Sequence, residues 1–323
     1  MRASPQALIS GRSTYILTRL SHKRRRPSIT ARIIDGKAIS AKVRAEVAEG
    51  VRTFTSAHAR APGLVAGLVG DDRASQTYVR GKEKACMEVG IITEVRRMPS
   101  STTQDELMAV VRACNADPRF DGILVQLPLP RQINPDTVTR SINPLKDVDG
   151  LHPENMGLLL AGDARFVPAT PLGVQRLLKE EGVRVEGARV VICGRSNIVG
   201  KPLAALLMQK GEMANATVTI CHTGTRDLAG ETRRADILIA ATGKPRSITS
   251  DMVRPGAVVI DVGVSRIEDP ATKSGFRLAG DVDYGPVSEI ASAITPVPGG
   301  VGPMTIAMLL HNVLRAAQLA GRR

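Results

Sequence analysis

The stretch Arg189-Val190-Val191-Ile192-Cys193-Gly194-Arg195-Ser196-Asn197-Ile198-Val199-Gly200-Lys201-Pro202 reads as a buried strand running into a glycine turn and then a helix. Such a junction aims backbone N–H groups and the positive end of a helix dipole at one point, which suits a phosphate. The glycines are spaced GxxxxxG, not the GxGxxG of the usual dinucleotide fingerprint, so an ordinary strand-to-helix turn fits the same letters. Its surroundings favour the nucleotide reading. Further apolar runs at residues 217–221, 237–241 and 258–262 have the spacing of a doubly wound parallel sheet.

Toward the N-terminus, residues 63–70 read as another buried strand, followed by a helix over 75–89, strands at 91–96 and 122–126, and a helix over 103–113. The alternation predicts α/β architecture in two domains. An N-terminal α/β domain with a mostly parallel sheet takes residues 31–150, and a Rossmann-like domain takes 151–294, beginning with a helix near 172–181. The run Thr295-Pro296-Val297-Pro298-Gly299-Gly300 then breaks the pattern. It leads into an apolar helix over 304–319, predicted to pack back on the first domain, so that 295–323 join 31–150.

At 323 residues the chain is long enough for two cores. No apolar run approaches the roughly 18 residues that span a bilayer, which excludes a membrane protein. The cysteines Cys86, Cys114, Cys193 and Cys221 form no CxxC pair and read as reduced core residues. A net charge of +13 suggests nucleic acid until its position is considered: seven basic side chains and no acidic one fall within residues 1–30. With no Trp, four Phe and three Tyr, the chain offers few stacking platforms for bases, and nucleic-acid binding is a minor reading. The basic extension over 1–30 fits a mitochondrial-type presequence and equally an upstream stretch that does not fold.

Tyr78 and Lys82 stand at i and i+4 on the helix over 75–89 and share a face. Lysine on a helix is usually solvent decoration, but this helix follows Val69-Gly70-Asp71-Asp72 at the carboxyl end of a strand, where open α/β sheets place ligands. Gln126 closes the strand over 122–126 just before Pro128, either aimed into a crevice or satisfied as an edge amide. Lys146, Asp147, Asp149 and His152 crowd the domain boundary without metal-ligand spacing, so no metal is expected. In the second domain the strand over 217–221 runs into His222-Thr223-Gly224-Thr225-Arg226, with no carboxylate before Asp227 to take the ribose 2′-hydroxyl of NAD. Arg195 and Thr223 are available to a 2′-phosphate, and NADP is the expected cofactor.

Assembled, these residues make the chain resemble the bifunctional methylenetetrahydrofolate dehydrogenase/methenyltetrahydrofolate cyclohydrolase family. The resemblance covers residues 33–318. It is carried, in order, by Ser75 through Lys82, Gly122 through Pro130, Asp147 through Pro153, Thr170-Pro171, Gly194 through Pro202, and Thr295 through Thr305. It implies oxidation of 5,10-methylenetetrahydrofolate with NADP and hydrolysis of the methenyl product to 10-formyltetrahydrofolate, at a folate cleft between the domains of a homodimer. It implies that Lys82 is the catalytic lysine, Gln126 the amide that positions it, Tyr78 the ring on the pterin side and Asp149 the carboxylate that binds the pterin. Pro298, Gly299 and Gly300 would line the folate site, and Gly194, Arg195, Ser196, Ile198, Gly200, Thr223, Thr242 and Gly243 the dinucleotide site. Where the family usually has Ser-Arg-Thr or Ser-Lys-Thr, this chain has Thr223-Gly224-Thr225, one cation fewer beside a 2′-phosphate. The short two-domain form implies a cytoplasmic enzyme, or one of the mitochondrial matrix if residues 1–30 are a presequence.

Overall fold

A computed structural model of the chain describes residues 30–272 and 275–321, together with Met1. The basic extension read over 1–30 thus lies, apart from its two ends, outside the described residues. The chain begins with β1 (Arg32–Ile33) and α1 (Gly36–His58), and alternates β2 (Gly63–Val69), α2 (Arg73–Val89), β3 (Ile92–Met98), α3 (Gln104–Ala116) and β4 (Gly122–Val125). Three helices follow: α4 (Pro135–Ser141), α5 (Pro153–Ala161) and α6 (Ala169–Glu180). Alternation resumes with β5 (Arg189–Cys193), α7 (Gly200–Leu207), β6 (Thr217–Cys221), α8 (Leu228–Thr232), β7 (Ile237–Ala240) and β8 (Val258–Asp261). The chain ends through β9 (Ser265–Glu268), β10 (Phe276–Ala279), α9 (Tyr284–Ser288), β11 (Ala293–Ile294) and α10 (Val301–Ala320).

The first sheet is parallel, in the order β3-β2-β4. Every residue of its central strand is buried, as a strand covered on both faces requires. The second, also parallel, runs β1-β11-β8-β7-β5-β6, and β9 and β10 form a separate antiparallel pair. Arg32 and Ile33, within the stretch assigned from sequence to the first domain, pair instead with β11 in the larger sheet. A two-residue strand carries too little pattern to reveal which sheet it joins.

The helices have local reasons to start where they do. The Asp35 side chain accepts from the N–H groups of Lys37 and Ala38, and the α1 residues Val43, Val47, Val51 and Phe54 bury one face at helical spacing. Asp72 caps α2 by accepting from Ser75 N at 2.7 Å, and Gly90 ends that helix in the left-handed region. Thr103 and Glu106 form a capping box on α3. The closing helix α10 packs on α1 and α6 and reaches β2 and β4, burying Met304, Ala307, Leu310, Leu314 and Ala317. Its apolar face is continuous with both sheets: one core cluster runs from Leu64 and Leu124 through Leu177 and Met304 to Ile192 and Ile260.

Each sheet therefore has a place where its strand order reverses, between β2 and β4 in the first and between β5 and β7 in the second. Crevices at the carboxyl ends of such strands are where ligands bind in open α/β sheets. Gln126 follows β4, and Gly194 and Thr242 follow β5 and β7, so the topology alone picks out residues of both expected sites.

Candidate active site

Lys82 projects from α2 toward the end of β4, where its Nζ donates to Gln126 Oε1 at 3.1 Å. The amide is held by its other end: Gln126 Nε2 donates to the Leu127 carbonyl at 2.7 Å, and Gln126 N to the Gly67 carbonyl at 2.9 Å. Gln126 thus turns its side chain toward α2, with its oxygen held as an acceptor for one amine. Lys82 is half-buried. Burial pushes its ammonium below the usual lysine range, opposed by the nearby Asp149 carboxylate. Conversely, burial pushes Asp149 up to about 6, with Lys82 pulling it back and Asp147 adding to the rise. Cys86, one turn beyond Lys82, is buried and its thiol is pushed up to about 12, so it is inert packing.

The loop that carries Asp149 is built on Asp147, a buried carboxylate that accepts from Leu151 N at 3.2 Å, His152 N at 2.7 Å and Asn155 Nδ2 at 2.8 Å. Gly150 completes the turn at φ +68°, where a Cβ would lie 2.9 Å from Pro168 N. From the other side, buried Asn312 on α10 donates to the carbonyls of Val148 at 2.8 Å and Val167 at 2.9 Å. Truncation at Asn312→Ala leaves two carbonyls without their donor. It is expected to cost about 2–4 kcal/mol, measured by urea unfolding, and to slow the chemistry by loosening Asp149; a change below about 0.5 kcal/mol would discount the anchor.

Tyr78 is 49% exposed and lines a cleft of about 340 Å³ with Gly81, Ser40 and, from α10, Gly302, Pro303 and Ile306. The adjoining loop of Pro298, Gly299 and Gly300 packs on the start of α1. A Cβ on Gly36 would fall 1.8 Å from Gly300 O, and Gly299, at φ +116°, lies under the Lys37 side chain. The structure thus brings Lys82, Gln126 and Asp149 together, and sets Tyr78 facing the first turn of the helix that the 298–300 loop begins. Among the described residues, that loop shares no hydrogen bond with Lys82, Gln126 or Asp149.

At the second crevice, Gly194 leaves β5 at φ +138°, with its N–H on the Cys221 carbonyl at 2.8 Å. A Cβ there would lie 2.1 Å from Ala241 O, and one on Gly200 would lie 2.0 Å from Gly194 O. The backbone N–H groups of Arg195, Ser196, Asn197 and Ile198 meet no protein acceptor among the described residues, and all four residues are exposed. Ser196 Oγ is used within the turn, accepting from Val199 N at 3.1 Å. Thr223 is exposed just after β6, and Asp227, the first carboxylate beyond that strand, is spent capping α8 through Gly230 N at 2.8 Å. Thr242 and Gly243 differ from the other expected dinucleotide residues. Both of their N–H groups are already taken by Asp281 Oδ2, at 2.6 and 2.9 Å.

Sequence reading named Asp147 in the crowded boundary segment without giving it a role, and missed Asn312, Asp261 and Asp281. The last two follow short apolar runs, as Asp261-Val262-Gly263 and Gly280-Asp281-Val282. An acid beside glycine after a strand was the available signal, but the same letters occur in solvated loops.

Two family models match the chain: tetrahydrofolate dehydrogenase/cyclohydrolase, catalytic domain, over residues 34–149, and tetrahydrofolate dehydrogenase/cyclohydrolase, NAD(P)-binding domain, over residues 168–321. The bifunctional protein FolD of Chlorobium phaeobacteroides is 56% identical over 286 residues, covering 88% of this chain and 97% of the relative. That of Salinibacter ruber is 54% identical over 289 residues, covering 90% and 96%. Among solved structures, the Campylobacter jejuni FolD methylenetetrahydrofolate dehydrogenase/cyclohydrolase superposes with a TM-score of 0.83 at 47% identity, covering 89% of this chain and 99% of that one. The Trypanosoma brucei enzyme, solved with NADP cofactor and an inhibitor, gives 0.86 at 38% identity, covering 91% and 99%.

Proposed function

The chain belongs to the tetrahydrofolate dehydrogenase/cyclohydrolase family, and from that premise we propose that it oxidises 5,10-methylenetetrahydrofolate with NADP and hydrolyses the methenyl product to 10-formyltetrahydrofolate, two steps of one-carbon metabolism. The observation that carries this reading is the Lys82–Gln126 hydrogen bond beside Asp149: one amine, held by one amide, next to one carboxylate in a half-buried cleft.

A free lysine titrates near ~10.4, so about one in a thousand or fewer is neutral near pH 7. Burial of Lys82 raises that fraction, and a bound methenyl cation raises it further by repelling the ammonium. Neutral Lys82 takes a proton from water as the water oxygen bonds to the methenyl carbon. The hydroxyl on that carbon then loses its proton to solvent as the C=O bond forms and the carbon–N5 bond breaks, the formyl group stays on N10, and the Lys82 ammonium returns its proton to N5. One water is consumed and one proton is released. Gln126 holds the amine's direction through the cycle, Asp149 binds the pterin, and Tyr78 offers it a ring face.

The second crevice fits a dinucleotide. Open N–H groups at Arg195 to Ile198 suit a phosphate, Gly194 and Gly200 permit close backbone approach, and Arg195 with Thr223 suits a 2′-phosphate. NADP, when bound, accepts the hydride. Because Asp227 is engaged as a helix cap, no carboxylate follows β6 to favour NAD. A second copy of the chain is assigned to the edge strand β6 of the larger sheet, where Ile220 is exposed. None of the described helices is long and apolar enough to cross a membrane. The matched relatives include bacterial proteins, which supports a cytoplasmic enzyme.

One absorbance trace tests the reading. Purified protein given methylenetetrahydrofolate and limiting NADP is expected to produce methenyl absorbance, which then decays faster than the uncatalysed reaction once the cofactor is exhausted. Absence of a rise with either NADP or NAD would overturn the assignment, and decay at the uncatalysed rate would remove its hydrolase half.

A further inference from the structure

Two buried carboxylates at the carboxyl edge of the larger sheet have no part in the chemistry above. Asp261 ends β8 and accepts from the backbone N–H groups of Gly263, Asp281 and Val282, each at 2.9 Å. Asp281, fully buried, accepts from Thr242 N at 2.6 Å and Gly243 N at 2.9 Å on a single oxygen, Oδ2. Its other oxygen, Oδ1, is buried and has no hydrogen-bond partner among the described residues. Gly263 closes over it: a Cβ there would lie 2.2 Å from Asp281 Oδ1, so only glycine fits against this carboxylate.

The two turns that face each other across the β5/β7 crevice are therefore unlike. N–H groups of Arg195 to Ile198 are open, whereas those of Thr242 and Gly243 are turned inward onto Asp281. Successive free N–H groups in a turn make an anion seat. With Asp281 consuming one pair, the crevice keeps a single seat for a phosphate. The same bond has mechanical reach, because the Thr242 turn begins at Ala241, whose carbonyl abuts Gly194, and Gly194 in turn abuts Gly200 at the start of α7. Thr242 and Gly243 are exposed, so without their acceptor the turn can rotate its N–H groups toward water and into the crevice.

We propose that Asp281 is a positioning residue for the dinucleotide: by taking both N–H groups of the Thr242–Gly243 turn, it fixes the wall against which Gly194 and the phosphate-binding turn are built. The inference rests on the dinucleotide reading of this crevice, and an internal control separates the two, because hydrolysis of preformed methenyltetrahydrofolate needs no dinucleotide. In the full-length protein, Asp281→Ala is expected to raise KM for NADP about tenfold to a hundredfold, the loss of two hydrogen bonds. KM for the folate substrate and the hydrolysis rate should stay within about twofold of wild type. Asp281→Asn, which keeps an acceptor oxygen for the turn, is expected to restore KM for NADP to within about threefold. Asp281→Ser, too short to reach the turn, should behave as the alanine variant and carries the test if that variant is not recovered folded. An unchanged KM for NADP in Asp281→Ala or Asp281→Ser, a parallel fall in hydrolysis, or an asparagine variant no better than alanine overturns the proposal. A wild-type protein that does not use NADP overturns the dinucleotide reading instead.

Discussion

Replacing Lys82 by methionine is expected to slow hydrolysis of the methenyl substrate by about a thousandfold, within the ~10²–10⁴ range of a positioned general base, while oxidation keeps a much larger share of its rate. The methionine side chain has nearly the length of the lysine stem, so it fills the space on α2 without the amine that Gln126 accepts from. In the proposed mechanism, hydrolysis needs that amine to take a proton from water. Oxidation asks the protein for alignment of two reacting carbons and for no base. The pH dependence follows from the same pair. Burial lowers Lys82 and raises Asp149 to about 6, so as the pH falls through about 6 the carboxylate protonates, and acid also favours the ammonium form of Lys82, which cannot act as a base. Wild-type hydrolysis, after subtraction of the uncatalysed rate, should therefore climb from pH 6 toward pH 8, and Lys82→Met should lose the climb. The decay of preformed methenyl absorbance measures both. A variant rate within tenfold of wild type would remove Lys82 from the base role.

How far such a site can be read before folding depends on which part is local. The Tyr78/Lys82 pair lies on one helix, the strands at 63–69 and 189–193 announce themselves by apolar runs, and that at 217–221 alternates Thr with Val and Ile, so periodicity finds them. Helix α1 passed unread although Val43, Val47 and Val51 recur at four-residue spacing after an Asp35 cap, because its outer face mixes Lys, Arg, Glu, Thr and Ser into the pattern. Gln126 was ambiguous in sequence for a plain reason. Its meaning lies in a lysine 44 residues away, and no local pattern records that contact. Asp147 and Asp149 show the limit most clearly. Two residues apart and chemically identical, one is a structural hub with three donors and the other has the lysine for a neighbour. Asn312 on α10 donates to the carbonyl of Val148, the residue between them, and so helps fix how the two carboxylates are turned. Thr242 and Gly243 lie on the expected crevice, yet as a wall whose N–H groups are consumed by a carboxylate 39 residues further on.

Substitution of Gly194 by alanine is expected to do the converse of Lys82→Met. Gly194 holds φ +138°, a region that residues with a Cβ rarely adopt, at a cost of about 1–3 kcal/mol. A Cβ would also lie 2.1 Å from Ala241 O, and that atom cannot retreat freely, because Ala241 N donates to Cys193 O at 2.9 Å and ties the turn to β5. The β5–β7 pairing resists separation along four residue pairs, so the turn itself must change shape. Its distortion falls on the N–H groups of Arg195 to Ile198 and on the Gly200 end of α7. NADP-dependent oxidation should fall at least about a hundredfold, the scale expected when backbone donors to a phosphate and a helix terminus are displaced together. Hydrolysis of preformed methenyl substrate, on the proposed roles of Lys82, Gln126 and Asp149 around the other sheet, should persist. The pair of variants then makes a stronger test than either alone. Lys82→Met protein releases the methenyl cation and Gly194→Ala protein hydrolyses it, so mixing the two should restore overall formation of 10-formyltetrahydrofolate from methylenetetrahydrofolate and NADP that neither sustains singly. If Gly194→Ala lost both activities while remaining folded, the two crevices would be one mechanical unit and the division of labour between the sheets would be wrong.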